Sequence, residues 1–452
     1  MKLTLFPARG NPARVRPHRR RLLGLGVAVV LAAPLSAAAA NAAAADSHAA
    51  SGIAATGHAE NAAVISDWNA TGLKTMMGDA SRAPQEWGLY LAFMHAAMYD
   101  AVVGVEGRYQ PYVFHDRAPR GTSATAAAAA AAHKILETYE PYAQSSLDAA
   151  LAASLAGIPD GSAKTNGVAF GELMASKIIA LRANDGRNAP VFFTTPPAPG
   201  VWRPTPPGFL PMAVPWFGGV TPLLVRSATQ FAPPPPPALT SRRYTRDFNE
   251  VKAVGRDTST VRTAGQTAIA LFFSGNAFTQ FNTALQDQAA KRRLDIVRSA
   301  RMFAAVDMTV ADAVITTWRA KLFYGTWRPS TAIQLADTDG NPATSPDPTW
   351  TPLVVNPNYP EYSSGYNAAA GSFSRALEEL FGRHLNLTLI STAVPGATRG
   401  YDSGAVLRAD VVNARVWLGI HFRFADIAGR NLGVSVANWT LDHYFQPVRH
   451  HG

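Results

Sequence analysis

Three short segments in the second half of the chain carry the side chains best suited to chemistry. Lys321-Leu322-Phe323-Tyr324-Gly325-Thr326-Trp327-Arg328-Pro329 sets two cations seven residues apart. Seven residues turn a helix almost twice, so both side chains can reach one point if Gly325 and Pro329 bend the helix end. Two cations converging in apolar surroundings call for an anion, with arginine offering a planar fork and lysine a point charge. Taken alone, such a pair reads more simply as solvated surface charge. Tyr359-Pro360-Glu361-Tyr362-Ser363-Ser364-Gly365-Tyr366-Asn367 precedes an apolar helix. A hydroxyl and a glycine at a helix N-terminus supply free N–H groups and the positive end of a dipole, an oxyanion cradle. On local sequence, Ser363 or Ser364 reads first as an ordinary N-cap. In Arg415-Val416-Trp417-Leu418-Gly419-Ile420-His421-Phe422-Arg423 the Arg415 and His421 side chains lie about 120° apart on a straight helix. Joint action requires a break, and Gly419 is where one fits. A lone histidine in an apolar segment is usually structural; beside Arg415, His421 can instead turn a ring nitrogen toward the central atom of an oxyanion.

Read together, the three segments resemble the signature shared by vanadium haloperoxidases and the type 2 phosphatidic-acid and acid phosphatases. Lys321, Arg328 and Pro329 match its first part, Ser364 and Gly365 its middle, Arg415 and His421 its last, in order and spacing. Trp318 matches an aromatic pocket wall of the haloperoxidases. Trp202-Arg203-Pro204-Thr205-Pro206-Pro207 and His421-Phe422-Arg423-Phe424 are similar to actinobacterial haloperoxidase-like proteins, and the resemblance extends over nearly the whole mature chain. The resemblance implies that Lys321, Arg328, Ser364, Gly365 and Arg415 hold vanadate and that His421 ligates it. The reactants would be hydrogen peroxide, halide and a small organic acceptor. In the phosphatase alternative, His421 attacks the phosphorus of a phosphate ester, and the same cations stabilise the charge.

Two positions depart from the signature. Ser363 stands for its proline, and Tyr366 stands for the histidine that transfers protons in both branches. A phenol titrating near 10 donates a hydrogen bond at neutral pH but is a poor proton acceptor beside an imidazole near 6.5. Losing such a group costs about 10²–10⁴ in rate. A third reading is therefore a degenerate member that binds an anion or metabolite, or acts as a metal-free catalyst.

The elements that must position these residues read as helices. Trp87–Val102 is apolar almost all round and is expected to be a central helix. Ser123 caps a helix from Ala124 that Pro141 stops, and Ser146–Ala156 follows, ended by Gly157. Tyr244–Val254, Thr260–Phe273, a pair at Leu285–Ala304 and Val306–Phe323 without a clear breaker, and Gly365–Phe381 continue the pattern. No strand-rich section is expected. Prolines crowd 189–240, including the run Pro233 to Pro237, and exclude a helix there. The expectation is an all-α fold with two packed helical-bundle halves, at 46–188 and 241–452, joined by a long Pro-rich irregular segment.

Composition narrows the class. Apolar residues make up 47% and charged residues 16%, the balance of a folded chain. The net charge of +10 first suggests a polyanion partner. Residues 1–45, however, hold seven basic side chains and no acid, so the remainder carries 34 basic and 31 acidic groups, and nucleic acid is not an expected partner. The basic stretch is followed by an apolar run from Leu22 to Leu35 and then small residues. This is the layout of a cleaved signal peptide, with Arg19 and Arg20 in a twin-arginine arrangement. The run is too short to span a membrane, so a secreted protein without a stable span is expected. There is no cysteine, hence no disulfide, thiolate metal site or thiol nucleophile.

Overall fold

The computed structural model describes residues 60–448, so the expected signal peptide lies outside the described residues. The N-terminal part comprises α1 (Ala63–Gly78), α2 (Pro84–Glu106), α3 (Ala124–Tyr139), α4 (Gln144–Ala156) and α5 (Ser162–Leu181). Ser123 Oγ accepts the Ala126 N–H and starts α3 as expected. α2 is buried along nearly its whole length, packed on α3, α5 and the later helix Ile296–Tyr324, which is why its sequence shows no polar face. It is long and apolar enough to cross a membrane, but here its surface is spent on helix contacts.

Between Leu181 and Arg242 the chain is irregular apart from one 3₁₀ turn at Pro215–Gly219. It is nonetheless ordered by buried anchors. Asp312 accepts the N–H groups of Leu223, Leu224 and Val225 at 2.7, 2.7 and 2.9 Å. Trp202 donates its backbone N–H to the Gly325 carbonyl at 2.7 Å.

The C-terminal part holds α6 (Arg242–Val254), α7 (Ala264–Phe272), α8 (Ala277–Lys291), α9 (Ile296–Tyr324), α10 (Pro329–Gln334), α11 (Gly365–Phe381), α12 (Gly404–Trp417) and α13 (Arg423–His443). The sequence suggested two helices at 285–323. Instead α8 ends at Lys291, and the 29 residues from Ile296 run as one helix, since nothing at Ala304 and Ala305 breaks the backbone ladder. A two-stranded antiparallel hairpin, β1 (Leu387–Ile390) with β2 (Thr398–Tyr401), was not expected; its strands of four residues are too short to show an alternation. The main hydrophobic core draws on both parts, with α2 against α9 joining them, while α6 and α10 pack in a separate cluster around Phe248, Trp327 and Trp350.

Candidate functional site

Two helix ends and two helix starts meet at the site. α9 stops at Tyr324 because Gly325 adopts a left-handed conformation (φ +54°), returning its N–H to Lys321 O. The chain then turns, so Arg328 is not on the helix of Lys321 but caps α10, with Pro329 in its first turn. The bend expected at Gly325 and Pro329 is thus a complete helix break. α12 likewise ends at Trp417, and Gly419 turns with φ +79°, releasing His421 into the short link before α13. Ser364 occupies the N-cap position of α11, but its hydroxyl caps no backbone N–H; it accepts from Asn367 Nδ2 at 3.2 Å. The N–H groups of Gly365 and Tyr366 belong to the first turn, which has no intrahelical acceptor for them.

The α11 N-terminus is held by close backbone packing on α13. A Cβ at Gly429 would lie 2.2 Å from Ser364 O, and one at Gly433 would lie 2.1 Å from Ala368 O. Ser364 N–H also donates to Ala425 O at 3.1 Å. Gly365 is required for a different reason: a side chain there would press on Trp318, at 3.0 Å, and approach Lys321 Cε at 4.0 Å.

Lys321, Arg328, Arg415 and His421 are all buried. Lys321 Nζ donates to the carbonyls of Pro360 (2.7 Å) and Glu361 (3.0 Å) and lies 4.9 Å from the centre of the Tyr359 ring. Arg328 donates through Nε to Tyr359 O and through Nη1 to Ile420 O, both at 2.9 Å, and Nη1 lies 3.5 Å from His421 Nε2. Arg415 Nη1 donates to Phe273 O at 3.0 Å, and its guanidinium sits 4.9 Å above the Tyr366 ring. Arg328 Nη2 and Arg415 Nε are buried and donate to no protein acceptor. Burial, and then the neighbouring Arg328, hold the Lys321 ammonium well below its ordinary value. Burial also lowers Arg328, to about 10. His421 is held well below the usual imidazole range by burial and then by Arg328, Lys321 and Arg415, which keeps the ring neutral.

Several residues that sequence reasoning passed over complete the arrangement. Glu361 Oε1 lies 2.9 Å from His421 Nδ1 and accepts the Phe422 N–H at 3.0 Å. Burial pushes its carboxyl up to about 8, against the pull of Lys321 and Arg328. Asp426, on α13, accepts from Asn367 Nδ2 at 2.8 Å, and burial pushes it up to about 8 as well. Tyr359 packs against Trp318 at 4.9 Å and faces both Lys321 and Arg328. The clue available in the sequence was an acid, Glu361, within a segment already marked for an anion. Tyr366 departs from expectation: its hydroxyl donates to Gln280 Oε1 at 2.9 Å, so it points to α8 instead of offering a proton to an oxyanion. Burial moves this phenol further above its ordinary value.

Above these groups is a cavity of about 610 Å³, with Trp318, Gly365, Tyr366 and Arg415 among its lining residues. The arrangement fits a tetrahedral oxyanion. Three buried cations need a counter-charge, two guanidinium N–H groups lack partners, and a neutral imidazole offers Nε2 when Nδ1 keeps its proton toward Glu361.

Comparison with known proteins bears on the family and the fold. Residues 301–450 match the family model described as the second helical-bundle domain of VCPO. The vanadium chloroperoxidase of Curvularia inaequalis is 25% identical over 288 residues, 48% of this chain and 47% of that protein. The chain thus matches about half the length of that curated relative. A bacterial vanadium-dependent iodoperoxidase crystal structure superposes with a TM-score of 0.75 at 22% identity, covering 88% of this chain and all of the other. The holo form of a bacterial vanadium-dependent chloroperoxidase gives 0.64 at 18% identity, covering 80% and 93%. These two likenesses establish the shared all-α fold.

Proposed function

From the chain's membership of the vanadium haloperoxidase superfamily, we propose that it is an exported, vanadate-dependent haloperoxidase-like oxidoreductase that uses hydrogen peroxide to oxidise halide. The observation that carries this reading is the buried convergence of Lys321, Arg328 and Arg415 on neutral His421, with Arg328 Nη2 and Arg415 Nε free of protein acceptors. Lys321, Arg328, Arg415, Ser364 and the Gly365 N–H would hold the vanadate oxygens, and His421 Nε2 would ligate the metal. When bound, vanadate supplies the Lewis acidity that activates peroxide for oxygen transfer to a halide.

The protein's own part is positioning and charge. Glu361 fixes the imidazole by holding the Nδ1 proton, which leaves the Nε2 lone pair facing the cations. Arg328 keeps its orientation through two backbone carbonyls, so its remaining N–H group is aimed before any anion arrives. Tyr366 packs its ring against Arg415 and directs its hydroxyl away, so it serves as a positioning residue and not as an acid. Proton transfer to and from peroxide then falls to solvent in the cavity, which makes turnover slow relative to binding.

The test is vanadium content after vanadate loading and desalting, together with bromination of a phenol dye. About one vanadium per chain and peroxide-dependent bromination are expected. Protein that retains no vanadium, does not brominate and hydrolyses nitrophenyl phosphate would instead be a phosphatase using His421. The same cations and the absence of a leaving-group acid suit that substrate's good leaving group.

A further inference from the structure

The hairpin β1–β2, unexpected from the sequence, supplies none of the described residues that line the cavity. Its first strand packs on α8, and the turn that follows, at 391–394, grips the link between α7 and α8. The Ser391 hydroxyl donates to Phe272 O at 3.0 Å and accepts the N–H groups of Ala393 and Val394 at 3.2 and 3.0 Å, so one buried side chain both folds the turn and holds the end of α7. Thr392 Oγ1 accepts the Asn276 N–H at 2.8 Å, at the start of α8. Gly275, within the link, has no room for a side chain, since a Cβ there would lie 2.0 Å from Thr392 Oγ1 and 3.0 Å from Ala393 N. The link is therefore seated on the turn at both ends.

What the seated link presents to the site is a carbonyl. Phe273, next to the gripped Phe272, accepts Arg415 Nη1 at 3.0 Å. The same strand end reaches the guanidinium by a second route. Ile390 O accepts from Gln280 Nε2 at 3.0 Å, which turns Gln280 Oε1 to the Tyr366 hydroxyl at 2.9 Å, and the Tyr366 ring lies 4.9 Å from the guanidinium. This second support is the looser one, because Phe273 and Phe281 also pack edge-on against the Tyr366 ring. Both contacts that orient Arg415 thus trace back to three consecutive hairpin residues. A guanidinium on a flexible stem binds an oxyanion strongly only when its fork is already aimed, and partners behind a binding group do that aiming.

We propose that Ile390, Ser391 and Thr392 are positioning residues for Arg415, holding the Phe273 carbonyl and the Tyr366 ring where the guanidinium is directed at the oxyanion. The proposal rests on the oxyanion-binding part of the reading above and requires no turnover.

The test is calorimetric titration of the full chain with inorganic phosphate. Ser391→Ala/Thr392→Val removes both hydroxyl ties and leaves every cation and His421 unaltered. It should weaken phosphate binding about three- to tenfold, the worth of one net hydrogen bond. Thr392→Ser keeps the acceptor and should stay within about twofold of wild type. In an Arg415→Lys background, which keeps the charge but not the fork, the double substitution should change affinity by less than about twofold, because the group it aims is gone. Wild-type affinity in the double variant overturns the proposal, as does a loss that persists undiminished in the Arg415→Lys background. If the double variant does not fold, Thr392→Val alone decides, at an exposed position: a weakening of about twofold or more that Thr392→Ser does not share is expected, and unchanged affinity overturns the role. Wild-type protein that binds no phosphate overturns the proposal together with the oxyanion site. Phosphate binding with this hairpin dependence, in protein that neither retains vanadium nor brominates, overturns the haloperoxidase reading and leaves this one standing.

Discussion

Asp312 and Glu361 are both buried carboxylates, yet their surroundings differ in a way that separates scaffold from site. Asp312 accepts three backbone N–H groups from 223–225 and so ties the irregular segment to α9. Glu361 accepts one backbone N–H, touches His421, and leaves Oε2 without a partner. Burial raises both groups, Asp312 to about 6 and Glu361 to about 8. The scaffold carboxylate is satisfied by fixed dipoles, whereas the site keeps cations and acids with hydrogen-bonding capacity to spare. Surplus capacity under full burial is what marks a place prepared for a ligand.

The contrast can be broken at either end. Asp312→Ala should have the largest effect, about 3–6 kcal/mol of stability, because three buried N–H groups lose their acceptor. Denaturant unfolding would measure it, and a loss below about 1 kcal/mol would show that the segment does not depend on this anchor. Arg328→Met should reverse the pattern. Oxyanion affinity should fall by roughly 1.5–3 kcal/mol, read by phosphate or vanadate titration, while stability without anion changes by less than about 1 kcal/mol, since a poorly compensated buried charge is removed.

Asp426→Asn sharpens the comparison through pH. The folded group titrates near 8 against an ordinary value of 3.8, so the native state holds an extra proton between those values. Wild-type stability therefore declines as pH rises across that window, by at most about 1.4 kcal/mol per pH unit from this group. The asparagine variant lacks this decline, and its melting temperature relative to wild type should rise from pH 5 to pH 8. Parallel curves for the two proteins would place the Asp426 proton elsewhere.

The smallest effect is expected at Tyr366. Tyr366→Phe should cost about 1 kcal/mol of stability through the lost bond to Gln280 and shift oxyanion affinity less than about twofold, because the ring still faces Arg415. Tyr366→His should raise bromination at mildly acidic to neutral pH, where an imidazole exchanges protons. Abolished bromination in the phenylalanine variant would give the hydroxyl a chemical role.

The sequence made the helices legible wherever a local stop or cap was strong, as at Ser123 and Gly157. The three site segments were legible too, because cation spacing and a glycine break are local signals. Glu361 and Asp426 were not, since an acid differs from any surface acid only through burial that tertiary packing creates. Tyr366 illustrates the same limit. Its identity was plain, but its partner Gln280 lies on α8, 86 residues away, and only that contact shows where the hydroxyl is spent.

The length of α9 couples the two regions by phase. Its 29 residues form a rod of about 43 Å, on which Asp312 and Lys321 stand nine positions apart. An insertion or deletion of one residue between them would rotate everything downstream by about 100°. If Asp312 kept its hold on 223–225, Lys321 would swing out of reach of Pro360 and Glu361. Substitutions along this stretch can be absorbed by repacking, but a change of length cannot, so the spacing from loop anchor to site lysine is an indexing constraint on the whole fold.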